Sequence, residues 1–221
     1  MAHLVLLDHQ MVPSVDDVAG WTRAAAASGA RVIRTGALFP LSTSAFLESG
    51  FRTVDTLTLL ERPVPRPGDH HRSAARRSLT GARLRRLRPS MLHEAAAIDR
   101  RAFSAEWSND VSALADIMNA TPQHRSRSIH IDGRMVAFSI SGRADHVGYI
   151  QRLAVDPSAR RRGLAGALLD DAEHWMSRRR VSRVMVNTAS DNRPALALYE
   201  SMGFEIQPGE LQILERELPP G

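Results

Sequence analysis

The chain has 221 residues, of which 43% are hydrophobic, as expected for one large domain or for a domain with a smaller second unit. It contains no cysteine, which excludes disulfides, thiolate metal sites and a cysteine nucleophile, and no lysine, which excludes Schiff-base chemistry. The net charge of +5 is compatible with a phosphate-bearing partner, nucleic acid or a nucleotide cofactor, but a GC-rich coding genome, which favours arginine and alanine, is the preferred explanation.

No run of about 18 apolar residues occurs, so the sequence predicts no transmembrane helix. The N-terminal residues Met1 to Leu4 lack the basic start and the long apolar stretch of a signal peptide. We therefore expect a cytoplasmic protein with no membrane partner.

The first 65 residues predict a short unit with the order strand, helix, strand, helix, strand. The segment from Pro63 to Gly81 is rich in proline, histidine and arginine and shows no regular spacing of apolar residues. This composition is typical of a linker. We predict an N-terminal unit over residues 1–65, a linker over 66–80 and a C-terminal unit over 81–221. His70 and His71 have no third ligand beside them, so no metal site is predicted.

The C-terminal unit predicts an α/β fold, a mixed sheet with helices on it, in the order β-α-α-β-β-β-α-β-α-β. Asp132-Gly133 separates two strand patterns and is a strong hairpin signal. The predicted strands are Ala82–Leu87, Ser128–Ile131, Met135–Ile140, Tyr149–Val155, Arg183–Val186, Phe204–Ile206 and Gln212–Glu217. The predicted helices run from Pro89 to Phe103, Asp110 to Ala120, Leu164 to Arg178 and Pro194 to Ser201.

The two units share short landmarks at a nearly constant separation of 152 to 154 positions. Residues 16–21 match 170–175, residues 31–32 match 183–184, residues 48–51 match 200–204, and residues 60–62 match 214–216. Such an offset indicates a duplication, in which the N-terminal unit is a partial copy of the end of the C-terminal unit. We call the two segments the N-terminal copy and the C-terminal copy.

The copies differ where a ligand site would be expected. If the first strand ends near Leu7, the N-terminal copy lacks a counterpart of the segment Arg161 to Gly166. It also has Leu47 in place of Tyr199 and Pro40 in place of Asn192. These differences place the predicted site in the C-terminal copy alone.

The segment Arg160-Arg161-Arg162-Gly163-Leu164-Ala165-Gly166 connects a strand directly to a helix. Small residues let a ligand approach the backbone, and the first amides of a helix have no intrahelical partner. Such a turn binds pyrophosphate, and arginine side chains can add charged hydrogen bonds. The pattern is neither a P-loop nor a dinucleotide fingerprint, and a basic loop before an ordinary helix start is the alternative.

Together with the preceding Leu153-Ala154-Val155-Asp156-Pro157, this segment resembles the acetyl-CoA signature of the GNAT acetyltransferase superfamily. The resemblance extends from Ala82 to about Leu218 and includes Asn192 and the run Tyr199 to Phe204, in the order that the family has. It implies the GNAT fold and an acetyl-CoA-dependent N-acyltransferase. The acetyl group would pass from acetyl-CoA to a primary amine of a peptide N-terminus, a lysine or a small molecule.

The resemblance also implies residue roles. The backbone of the strand end would pair with the pantetheine arm of acetyl-CoA, and the amides of the turn would hold its pyrophosphate. The predicted cofactor-binding residues are Leu153, Ala154, Val155, Arg160, Arg161, Arg162, Gly163, Leu164, Ala165, Gly166 and Asn192. Tyr199 is expected to protonate the departing CoA thiolate. A core tyrosine packed with Leu196 and Met202 is the alternative interpretation.

No general base is evident. Some relatives carry a glutamate at the position of Asn187, or a carboxylate on the strand from Tyr149 to Gln151, and neither is present here. Asn187 is predicted to position the amine or a water molecule. Glu106, Asp110 and His146 are further candidates, each more typical of a solvated surface group.

The segment from Ile98 to Ser108 is similar to the acceptor-side helix of the ribosomal-protein alanine acetyltransferase branch, so Phe103 and Trp107 are expected near the acceptor. A non-catalytic acetyl-CoA-binding or regulatory protein is the alternative function, and nucleic-acid binding is not expected. The N-terminal copy resembles the degenerate half of tandem GNAT proteins such as mycothiol synthase. We expect it to bind no cofactor, and to pack on the catalytic unit or mediate a homodimer.

Overall fold

The computed structural model describes residues 2–4, 6, 11–65 and 81–219, so the predicted linker and Leu7 lie outside the described residues. Strands and helices alternate along this part of the chain. The strands are β1 (Ala2–Leu4), β2 (Val32–Thr35), β3 (Arg52–Pro63), β4 (Ala82–Arg86), β5 (Gln123–Ile131), β6 (Arg134–Ala144), β7 (Val147–Val155), β8 (Arg183–Ala189) and β9 (Glu205–Glu217). The α-helices are α1 (Val15–Ala27), α2 (Ser44–Glu48), α3 (Leu92–Ala102), α4 (Val111–Asn119), α5 (Leu164–Ser177) and α6 (Arg193–Ser201).

The predicted order of elements is confirmed in both copies. Asp132 and Gly133 have φ angles of 49° and 81°, the left-handed pair that a two-residue hairpin turn requires. The prediction of two separate strands at 204–206 and 212–217 is wrong, because β9 runs without interruption through Pro208 and Gly209. Gly209 has a φ of 84°, so the Pro-Gly pair that indicated a turn is accommodated inside the strand.

The contacts of the chain define two compact units. One consists of residues 1–60, 187–200 and 205–221, and the other of residues 61–186 and 201–204. We call them the first and the second unit. Each compact unit contains residues from both copies, and the predicted domain boundary at 66–80 stays a prediction. None of the described helices is long and apolar enough to cross a membrane.

In the first unit, the strand order is β1-β2-β9-β3. β1 is parallel to β2, and β2 is antiparallel to β9. The buried core combines Ile33, Phe46 and Phe51 of the N-terminal copy with Leu214 of the C-terminal copy. β9 therefore lies between two strands of the other copy and completes their hydrophobic core.

In the second unit, the strand order is β8-β7-β6-β5-β4. Helices α3 and α4 bury Leu92, Ile98 and Leu114 in one core cluster with strand residues such as Phe138 and Ile140. Helix α5 buries Leu164, Ala167 and Leu168 in another cluster, with Ile129 and Ala137. The strands of this unit thus contribute to two hydrophobic cores, one shared with α3 and α4 and the other with α5.

The last strands of the two copies are exchanged. β3 of the N-terminal copy lies between β9 and β8 of the C-terminal copy. Its hydrogen bonds to the β8 region join Val64 to Ser182 in the second unit and Thr56 to Ser190 in the first. Since β9 in turn pairs with β2, each copy donates its final strand to the sheet of the other.

The end of β3 is also fastened by a buried ion pair within the second unit. Arg62 lies 3.1 Å from the carboxylate of Glu173 on α5, and the same nitrogen donates to the carbonyl of Met202. Burial raises the pKa of Glu173 to about 7, against the opposing effect of Arg62. The contact therefore connects β3 to α5 and to the turn before Phe204.

This raised pKa predicts a pH dependence of stability. Between the ordinary value of 4.5 and about 7, folded Glu173 binds more protons than unfolded Glu173, so its contribution to stability is lost as pH rises. The loss approaches about 3 kcal/mol by linkage. Urea denaturation from pH 5 to 8 should show that Glu173→Gln removes this slope, whereas the exposed Glu205→Gln leaves it. Parallel pH profiles for wild type and Glu173→Gln would contradict the assignment.

Candidate functional site

One edge of β7 is open beyond its first third. β7 pairs with β6 from Val147 to Val155, but among the described residues it pairs with β8 only from Val147 to Tyr149. At Gln151 the register with β6 shifts, so this residue forms a bulge. On the side away from β6, the backbone from Ile150 to Val155 therefore has no strand partner among the described residues. An extended ligand can pair with this open edge.

The turn after β7 leads into α5 with an unusual backbone. Arg161 and Gly163 have φ angles of 62° and 72°, and the space around the Cα atom of Gly163 is open. Gly163 precedes the helix without any side-chain cap, and the first helical hydrogen bond joins Ala167 to the Gly163 carbonyl. The amides from Leu164 to Gly166 are thus left without helix partners, which suits them to an anion such as pyrophosphate.

The three arginines of the turn do not behave alike. All are exposed, but Arg160 donates to the carbonyl of Ala102 at 3.1 Å, at the end of α3. No such contact is described for Arg161 and Arg162. Cofactor binding by all three side chains stays a prediction, and the geometry favours Arg161 and Arg162.

Asp156 stabilises the turn. Its carboxylate accepts hydrogen bonds from the amide and hydroxyl of Ser158 and from Arg101 on α3. The Ser158 hydroxyl, more than Arg101, lowers the pKa of Asp156 to about 2, against the effect of burial. Asp156 is therefore ionised at any physiological pH and fixes the start of the turn that leads to Gly163.

The remaining predicted site residues lie in the first unit. Asn187 is exposed on β8. Asn192 caps α6, since its side-chain oxygen accepts from the Ala195 amide at 3.3 Å and its nitrogen donates to Thr188. Tyr199 is only 6% exposed and lies on the buried face of α6 with Leu196. Asn192 thus has a capping role in the structure. Its contact with the cofactor stays a prediction.

The three candidate bases off the strands differ in what they can do. Asp110 caps α4 by accepting a hydrogen bond from the Ala113 backbone amide. This hydrogen bond holds the pKa of Asp110 below its ordinary value. His146 lies in the β6–β7 hairpin, at the opposite end of β7 from Val155. A separation of roughly 30 Å along the strand takes His146 away from the turn. Glu106 is exposed and is the remaining carboxylate of the three.

A buried ion pair between α3 and β7 was not anticipated. Arg152 contacts both carboxylate oxygens of Asp99, at 2.6 and 2.7 Å, and donates to the carbonyl of Trp107. Its guanidinium also lies 3.6 Å from the ring centre of Phe103. Arg152 therefore attaches the α3–α4 connection, predicted to form the acceptor side, to the strand just before Leu153.

The sequence contained a signal for this pair. Asp99 occupies the helical position that continues the apolar stripe of Leu92, Ala95 and Ala96, and its side chain is fully buried. Arg152 stands between Ile150 and Ala154 in the sequence, where a period of two predicts an inward-facing residue. A charge at a core position of each element indicates a partner on the other.

Comparison with known proteins agrees with this arrangement. Residues 92–204, half of the chain, match the Acetyltransferase (GNAT) family. The [ribosomal protein bS18]-alanine N-acetyltransferase of Escherichia coli strain K12 is 31% identical over 107 residues, which are 48% of this chain and 70% of that protein. Its crystal structure superposes with a TM-score of 0.53 at 22% identity, over 63% of this chain and 96% of that one.

Two further solved structures share the fold. A tandem GNAT protein from the clavulanic acid biosynthesis pathway matches 93% of this chain and 70% of its own, with a TM-score of 0.65 and 13% identity. The PaiA N-acetyltransferase from Thermoplasma acidophilum, solved with coenzyme A, matches 62% of this chain and 99% of its own, with a TM-score of 0.52 and 16% identity. The chain belongs to the GNAT acetyltransferase family and has the GNAT fold.

Proposed function

We propose that the chain transfers the acetyl group of acetyl-CoA to a primary amine. The observation that carries the proposal is that one continuous segment contains both an open edge, on β7, and a helix start without a side-chain cap, on α5. The edge from Ile150 to Val155 offers backbone groups to the amide-bearing pantetheine arm. The amides of Leu164, Ala165 and Gly166 offer donors to the pyrophosphate.

The bound acetyl-CoA would supply an acyl group already activated as a thioester. Asn187, exposed on β8, would position the amine or a water molecule, because an amide cannot take up a proton. The Tyr199 hydroxyl would hold the proton that the CoA sulfur needs on departure. The base is then either bulk water or the exposed Glu106, and a carboxylate is not required for an amine that arrives neutral.

The role of Tyr199 predicts a specific kinetic effect. Tyr199→Phe removes the hydroxyl while retaining the buried ring, so kcat should fall about a hundredfold or more. The Kd for acetyl-CoA should change little, because the proposed contacts of acetyl-CoA are with the backbone of the second unit. The control is Tyr149→Phe on β7, the other tyrosine of the chain, which should keep wild-type kcat. An undiminished kcat in Tyr199→Phe would contradict the assignment.

The acceptor is proposed to be the N-terminal amine of a peptide. The Escherichia coli relative, by its name, acts on an alanine of ribosomal protein bS18. The α3–α4 connection, attached through Arg152, would then contact the peptide. A lysine side chain and a small polyamine are the other amines to be compared.

The second candidate is a protein that binds acetyl-CoA without turnover, favoured by the absence of a carboxylate at Asn187, Tyr149 and Gln151. Release of CoA from acetyl-CoA should be measured with three amines. These are a peptide beginning with alanine, an N-terminally blocked peptide containing one lysine, and spermidine. Turnover above the amine-free rate with at least one supports transfer, fastest with the first. Saturable acetyl-CoA binding with no turnover on any would replace the enzyme by the binding protein.

A further inference from the structure

A cavity of about 460 Å³ lies at the end of β4 in the second unit. β4 pairs with β5 only opposite Arg127 to Ile131, so the first residues of β5, from Gln123 to Ser126, extend past the end of β4. Residues of α3, α4 and α5 complete the lining of the cavity in this region. Its volume is within the range of small-molecule sites, roughly 300–1,000 Å³.

The lining of the cavity combines an apolar wall with a cationic one. Leu92 of α3, Met118 of α4 and Trp175 of α5 form the apolar part, and each is at most 6% exposed. The polar part consists mainly of Arg86, His124, Arg125 and Arg127. An apolar wall facing charged groups is suited to a ligand that is itself amphipathic.

The positive charge of the cavity is only partly compensated. The buried Asp171 accepts from Arg125 at 2.9 Å and from Arg127 at 3.0 Å, so one carboxylate faces two guanidinium groups. The side chain of Arg86 forms no hydrogen bond or ion pair within the part of the chain that the structure describes. Ser126, also in the lining, has a buried hydroxyl without a partner.

A further arginine lies against the apolar wall. The guanidinium of Arg179 lies 4.9 Å from the ring centre of Trp175. The pKa of Arg179 is lowered by burial and then by the charges of Arg125, Arg143 and Arg178. These arginines repel one another, so an anion bound beside them would be stabilised.

The cavity is separate from the proposed acetyl-CoA site. Its β5 residues, His124 to Arg127, pair with Gly142 to Ser139 of β6, and β6 lies between them and β7. Neighbouring strands are about 4.8 Å apart, so β5 is roughly 10 Å from β7. The open edge of β7, from Ile150 to Val155, is the edge that faces away from β6. The cavity therefore lies on the β4 side of the sheet and the proposed acetyl-CoA edge on its β8 side.

We propose that this cavity binds a small amphipathic anion, a carboxylate or phosphate ester. Its oxyanion is held by Arg86 together with Arg125 or Arg127, and its apolar part packs against Met118 and Trp175. The two arginines bound to Asp171 retain unused N–H groups for such a ligand. This site does not depend on whether the protein transfers acetyl groups.

Phenyl phosphate and benzoate are suitable probes, because they place the two kinds of oxyanion on one apolar ring, and benzyl alcohol is their neutral counterpart. Calorimetric titration of the full chain should show saturable one-to-one binding of at least one anion and weaker binding of benzyl alcohol. Arg86→Gln should weaken that binding about tenfold or more. Arg83→Gln, exposed on the same strand, is the matched control and should not. Ala115→Leu, which fills the cavity from α4, should also abolish binding.

Three results would overturn the proposal. The first is the absence of saturable binding of either anion up to about 10 mM. The second is equal loss in Arg86→Gln and Arg83→Gln, which would indicate diffuse charge attraction. The third is binding that survives both Arg86→Gln and Ala115→Leu, which would place the anion elsewhere, for example at the turn after β7.

Discussion

A protein truncated to residues 81–221 is expected not to fold, because the N-terminal copy supplies the strand between β8 and β9. Leu57, Leu59 and Leu60 of β3 are at most 8% exposed. Burial of each contributes roughly 1.5–3 kcal/mol, so their loss alone approaches the 5–15 kcal/mol typical of a whole domain. Glu173 would also lose Arg62.

The experiment compares circular dichroism and urea denaturation of residues 81–221 with those of the full chain. The control is a full chain with a protease site within residues 66–80, cleaved after folding. This control has the same break but keeps both copies, and it should retain cooperative unfolding. If residues 81–221 alone unfold cooperatively with the free energy of the full chain, the strand exchange does not stabilise the protein.

Asp99→Ala is expected to destabilise the protein by about 3–5 kcal/mol, since it leaves Arg152 without its anion. The Asp99 side chain is fully buried and that of Arg152 is 16% exposed, so water cannot replace the lost partner. The backbone amide of Asn109, which donates to the Asp99 carboxylate at 2.7 Å, would lose its acceptor as well. The α3–α4 connection should therefore loosen together with the core.

Urea denaturation of Asp99→Ala, Arg152→Met and the double variant Asp99→Ala/Arg152→Met measures the coupling between the two residues. The double variant should be less destabilised than Asp99→Ala, because it contains no unpaired charge. Asp116→Ala, at an exposed position of α4, should stay within about 0.5 kcal/mol of wild type. A loss below about 1 kcal/mol in Asp99→Ala would show that the pair is solvated rather than buried.

The order of elements could be predicted from the sequence because its signals are local. The hairpin at Asp132-Gly133 follows from two residues that tolerate left-handed backbone, and the start of α5 follows from Gly163 before an amphipathic run. The pair Pro208-Gly209 is an equally local turn signal, but no strand break occurs there. There, pairing along β9 outweighs the turn preference of two residues.

The arrangement of strands could not be predicted, because the pattern of β3 shows that it is buried but not between which neighbours. Each copy has a final strand, and sequence alone favours pairing within the copy. The roles of Asp99 and Arg152 were missed for a related reason, since each charge is unfavourable alone and is explained only by the other element. The turn from Arg160 to Gly166 could be proposed from sequence because one contiguous segment contains it, and its anion-binding role stays a prediction.

The most direct test of the account is the stoichiometry of acetyl-CoA binding to the full chain, measured by calorimetric titration. We predict one site per chain, because only the C-terminal copy contains a sequence like Arg160 to Gly166. Gly163→Val, which forces a side chain into left-handed backbone, should weaken binding at least tenfold, at a strain of about 1–2 kcal/mol. Gly29→Val imposes the same strain in equally open space after α1 and should bind normally. Two sites, no site, or equal effects of the two substitutions would contradict the account.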